Sequence, residues 1–542
     1  MVRRPRSRRA AADLASIALT LVTAVALMTG CVASATPAPR PPAPPTVGAT
    51  VPAASVPVVV PSPPAGATSG PSSPAASATS NASAVPATAM PAAGPWQPAG
   101  SMAVSRLDPH AVLLADGRVL VVGNDGNNGL SGMVRADSVT AEVWDPTTNA
   151  WRATGGLNRP RAEFAAIGLR TGGVLVTGGL DLGAPTTTDP AYACLNGASL
   201  SYSSTYVWDR TTGAWTRAGL LGTARTQPTV AALPDGRVLL MGGFYQAPRT
   251  GRSPDAALAA YRLSPPDTAA AGPRADVAPE FTIPALATAE IFDPATGTWS
   301  STGPMRYARY GAAAATLADG RVLVVGSGQG TWIGASGAVD VGDGAANSAE
   351  LYDPRTGRFT LTGSLPTTGR EPGVNAGAAG TLVALPDGGA LLVANERSWK
   401  HGPTDTRSFR YDVRAGSWSQ VGTALIDGWD SQTQQTTHTG GDAGLPDSLV
   451  ARLADGRVLV AGGEFWVANG VAVSRAAYLF DPRTNAWSRL PSMPGSRAGG
   501  VAVALPDGTA LLVGGYADQQ ALSGTCDRPV GLASAIRFMP GR

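Results

Sequence analysis

The chain has 542 residues, 44% hydrophobic and 15% charged, with a formal net charge of +3. Five of its 41 basic residues are Arg3, Arg4, Arg6, Arg8 and Arg9, and Asp13 is the one acid before residue 31, so the remainder carries 36 basic and 37 acidic residues. The basic balance therefore belongs to a leader and gives no support to nucleic-acid binding, and with Lys400 the sole lysine a lysine-rich phosphate-binding surface is excluded.

Residues 1–31 read as a signal peptide. Arginines come first, followed by an apolar run from Leu14 to Met28 that is short for a membrane span. The end of this segment, Leu27-Met28-Thr29-Gly30-Cys31, resembles the lipobox of bacterial lipoproteins, with Met28 where that family usually has leucine. The resemblance implies that Cys31 is the lipidated N-terminus of a protein anchored to the outer side of the membrane. Cleavage after Ala33-Ser34-Ala35 is the alternative and would give a free secreted protein. Residues 32–94 are almost wholly small residues and proline, with Arg40 the one charge. Such a segment has little to bury and is expected to be a disordered spacer.

Residues 95–542 are dominated by one phrase. ADGRVLVVG stands at 115–123 and again at 318–326, with near copies at 234–243, 386–395, 454–463 and 506–515 and a degenerate copy at 171–179. Each copy reads as a hairpin. A run of small and apolar residues leads into Asp-Gly, which favours a tight turn, and a β-branched strand follows, ending at Gly-Gly or a relative of it. After a variable loop comes a third strand ending in aspartate, as in AEVWDP (141–146), AEIFDP (289–294) and AYLFDP (477–482). A short turn then leads to an aromatic that opens a fourth strand: Trp151, Trp215, Trp299, Phe359, Trp418 and Trp487.

Four strands per unit, repeated at roughly fifty residues, is the mark of a β-propeller blade. The last unit lacks a fourth strand, and Pro95-Trp96-Gln97 is a fourth strand without a unit. Arg106 follows Trp96 at the spacing that separates Trp151 from Arg161, Trp215 from Arg225, Trp299 from Arg309 and Trp487 from Arg497. The expected fold is all-β, a seven-bladed propeller closed by its N-terminal strand. The glycine doublet, the Tyr-Asp-Pro-like third strand and the tryptophan after a short turn resemble kelch repeats. That resemblance implies a kelch/galactose-oxidase-like propeller, a scaffold that carries both binding modules and enzymes.

On such a scaffold loops 1–2 and 3–4 share one face. Here they are short and uniform. The irregular loops share the other face: 124–140, 180–204, 244–288, 327–348, 395–407 and 516–533 between strands two and three, and 419–447 between blades. A binding site is expected on that 2–3/4–1 face. Arg106, Arg161, Arg225, Arg309, Arg370 and Arg497 enter it at its first strands. They either hold an anionic ligand at the channel mouth or belong to the repeat and tie neighbouring loops. Trp332, Trp399, Trp429 and Trp466 fall outside the repeat, and Phe244, Tyr245 and Tyr516 follow strand two. These aromatics either form a stacking surface for sugars or proteins or fill small cores beneath the loops. Cys194 and Cys526 lie in two of the loops and are candidates for one disulfide.

The copper-radical oxidases of the galactose oxidase type require a pair of histidines and a pair of tyrosines. This chain has only His110, His401 and His438, of which His110 falls within a repeat position. Two stretches that offer oxygen ligands, 340–350 and 123–129, match no calcium-loop spacing. No catalytic residue, metal or cofactor is therefore assigned. The expectation is a monomeric, non-catalytic binding module for a protein or glycan. The alternative is an extracellular carbohydrate-active enzyme, a hydrolase or a copper-dependent oxidase, on the same face.

Overall fold

The computed structural model describes residues 94–541 apart from 124–138, 158–160, 182–199, 246–284, 327–330, 334–336, 340–346, 367–378, 396–407, 422–428, 431–434, 437–446, 468–469 and 518–530. The expected signal peptide, lipobox and linker, together with Arg370, Trp399, His401, His438, Cys31, Cys194 and Cys526, lie outside these residues.

The described chain is all-β and forms seven four-stranded antiparallel sheets. The first strand of each sheet, such as His110–Leu113 or Ala313–Thr316, contacts the first strands of both neighbours. The series returns from Val501–Ala504 to His110–Leu113, which closes a ring of seven blades around an axis. Small residues dominate these strands because seven of them converge there.

Burial changes across each blade in the order the packing demands. The second strands, such as Val119–Val122 and Val322–Val325, are buried at every position. Both of their faces meet a neighbouring blade, so their sequences run continuously apolar instead of alternating. The third strands are nearly as buried, whereas the fourth strands, such as Thr298–Thr302, are largely exposed at the rim. The fourth-strand aromatic pairs in register with an aromatic of the third strand in all seven blades, as in Trp144 with Trp151, Phe292 with Trp299 and Phe538 with Trp96. In the pairs Phe292–Trp299, Tyr352–Phe359, Tyr411–Trp418, Phe480–Trp487 and Phe538–Trp96 the ring centroids lie 4.8–5.1 Å apart, a separation at which tilted rings attract.

Blade seven is built from both ends of the propeller. Its fourth strand is Trp96–Arg106, which pairs with Leu532–Phe538 through two register shifts. This strand is longer than the three residues read from the sequence. The bulges let it follow the blade edge as far as Arg106. The Met539 amide donates to the Pro95 carbonyl at 2.8 Å, a bond that stands where other blades have a covalent 3–4 turn. Both ends of the propeller thus lie on the face of the short turns.

That face repeats one motif of charge. In the Asp-Gly-Arg turns the arginine folds back onto its aspartate, at 2.7 Å in Arg118–Asp116, Arg237–Asp235, Arg321–Asp319 and Arg457–Asp455. Blades five and seven have Gly389 and Thr509 in place of that arginine. There Arg410 and Arg537 reach the turn aspartates Asp387 and Asp507 from the third strand. In the 3–4 turns, Asp145, Asp293, Asp353 and Asp481 each accept the amide two residues on. A left-handed Asn or Gly then completes the turn, such as Asn149 at φ 53° or Gly297 at φ 67°.

The loops of the opposite face carry short hairpins: Leu180–Asp181 with Leu200–Ser201, Thr331–Ile333 with Gly337–Val339, Trp429–Asp430 with Gln435–Thr436, and Glu464–Val467 with Gly470–Val473. The sequence reading treated all but the last of these segments as irregular loop. They are too short to show a periodicity of their own.

Candidate functional site

Five of the six arginines expected at the channel mouth are among the described residues, and all five are buried, at 0–4% exposure. Each guanidinium donates to the carbonyl of the glycine seventeen residues on: Arg106 to Gly123, Arg161 to Gly178, Arg225 to Gly242, Arg309 to Gly326 and Arg497 to Gly514, at 2.6–2.9 Å. The backbone carbonyl of four of them accepts from the preceding blade. Gly515 donates to Arg106, Gly179 to Arg225, Gly243 to Arg309 and Gly463 to Arg497, at 2.8–2.9 Å. These arginines are stitches between consecutive blades, and the glycine doublet is the other half of the stitch. A Cβ on Gly462 would lie 2.0 Å from the Arg497 carbonyl oxygen, and the residue's φ is +72°, so only glycine fits there.

In blades one, three and four the guanidinium also meets a buried carboxylate: Arg106–Glu142 at 3.0 Å, Arg225–Glu290 at 2.6 Å and Arg309–Glu350 at 2.9 Å. The glutamate in turn accepts two amides of the incoming loop, as Glu290 does from Gly222 and Thr223. Burial pushes the Arg225 and Arg309 guanidinium groups below their ordinary range while the carboxylates oppose that shift. In blade two Tyr206 replaces the glutamate, and Arg161 lies 4.6 Å and 5.1 Å from the ring centroids of Tyr202 and Tyr206. In blade seven Ile536 takes that place. Arg497 has no carboxylate partner among the described residues, and burial lowers it to about 10. The five described arginines therefore tie blades, with their guanidinium groups turned into the sheets.

The expected aromatics divide. Tyr516 is 5% exposed and packs with Leu107 and Ala498. Its backbone bonds to Ala498 in a bridge that Phe244 repeats with Thr226. Tyr245 is 7% exposed, and Phe244 is half-buried with its ring edge-on to Tyr310 at 5.5 Å. Tyr245 and Tyr516 thus belong to cores beneath the loops. Trp332, Trp429 and Trp466 stand in three of the loop hairpins.

What opens on the axis is a cavity of about 580 Å³ where the interblade loops enter the first strands. Its wall comes from one repeat position, two residues after each stitching arginine: Asp108, Glu163, Gln227, Gly311 and Gly499, joined by Asp447 from blade six. Glu163, Gln227, Gly311, Asp447 and Gly499 all have φ between 48° and 59°, in the left-handed region that non-glycine residues rarely adopt. The conformation links blades around the mouth. The Gln227 amide donates to the Glu163 carbonyl at 2.9 Å, Gly311 to Gln227 at 3.1 Å and Gly499 to Asp447 at 2.9 Å. These bonds are made by backbone atoms, so they do not depend on which side chain stands at the position.

His110 and Ser448 also line the cavity. The His110 ring lies 4.4 Å from that of Phe164, and burial lowers its pKa to about 4, against a backbone hydrogen bond at Phe164 that raises it. It is a neutral imidazole at neutral pH. The Ser448 hydroxyl is shielded from solvent and has no hydrogen-bond partner. Among the described residues no group of three or more His, Cys, Asp or Glu side chains is arranged to hold a metal ion. Reading the sequence missed Asp108, Glu163, Gln227, Asp447 and Ser448. The signal was a constant offset from the arginine carrying a variable residue.

No protein-family model matches the chain, and no curated protein matches it. Among solved structures 766 chains match, so a function cannot be read from so widely shared a fold. One of them is the structure of YjhT, with a TM-score of 0.40 and 13% identity over 80% of this chain and 95% of its own. The propeller is established by the blade geometry and not by this likeness.

Proposed function

We propose that the chain is an exported, lipid-anchored propeller of the kelch type that captures a glycan or a protein through its 2–3/4–1 face, without catalysing a reaction on it. The observation that carries this reading is the contrast at the axial mouth. The arginine of each stitch stays the same from blade to blade, while the residue two positions on changes among Asp, Glu, Gln and Gly. A scaffold that holds its frame constant and varies the side chains around a cavity is built for recognition. The opposite face supports this assignment, since its turn aspartates and arginines are engaged with one another.

The test is capture by the full chain on a glycan array and from a panel of candidate surface proteins, beside metal analysis and turnover assays on the same preparation. A defined ligand, recovered unchanged and held more weakly by Trp399→Ala or Trp466→Ala variants, is the expected result. Stoichiometric transition metal, or conversion of a captured glycan, overturns the reading in favour of an enzyme.

A further inference from the structure

We draw no further inference here: the strongest candidate, the cluster of Asp108, Glu163, Gln227 and Asp447 around the axial cavity, belongs to the site already described, and each of its acids has further interactions within the chain, so nothing in it selects one class of ligand.

Discussion

At the scale of single residues, the arginine stitches decide how the ring holds. Arg309 and Glu350 are both fully buried and bonded to each other, so replacing Arg309 by Met leaves a buried carboxylate without its cation, held only by the Arg306 and Tyr307 amides. The expected cost is about 3–5 kcal/mol, read by urea unfolding. Arg497→Met strands no carboxylate, because Ile536 stands where the others have glutamate, and it is expected to cost clearly less in the same assay. His110 makes a pH prediction. Its folded pKa of about 4 lies below the ordinary 6.5, so the unfolded chain takes up the proton first. Stability therefore falls as the pH drops from about 6.5 towards 4. His110→Phe should flatten that part of the curve in thermal melts between pH 4 and 7. The arginine positions were legible in the sequence from their constant distance to the tryptophans. Their role was not, because a spacing gives where a side chain begins and not what it meets. The constant step of seventeen to the glycine carbonyl was open to inspection, whereas the step to the glutamate is 36 residues in one blade and 65 in another.

At the scale of the element, each Asp-Gly turn keeps one aspartate and one arginine by whichever route the blade allows. Arg537 therefore substitutes for the arginine that Thr509 displaced. Arg537→Ala should cost no more than about 1 kcal/mol, as expected for an exposed pair. Adding Thr509→Arg to it should restore most of the loss, measured as the coupling in a double-mutant cycle. The hairpins were legible because Asp-Gly flanked by β-branched residues is strong local chemistry. The left-handed mouth residues were not, since Glu and Gln are uncommon in that conformation and the backbone bonds that hold them come from the next blade.

At the scale of the molecule, the number of blades and the way the ring closes were written in the sequence as one surplus fourth strand at the start and one missing at the end. A chain lacking residues 1–106 should leave Leu532–Phe538 as an open edge and remove Arg106 from blade one. Its expected behaviour is association to larger species in size-exclusion chromatography. The axial cavity was not legible, because it is assembled from six interblade loops that only the closed ring brings together. The bond from Met539 to Pro95 has one more consequence. Since the propeller begins at Pro95 and ends at Met539 on the side away from the cavity, a handle joined directly at either point suspends the head like a cup from its base. A sensor surface coated through such a handle would present every opening outward.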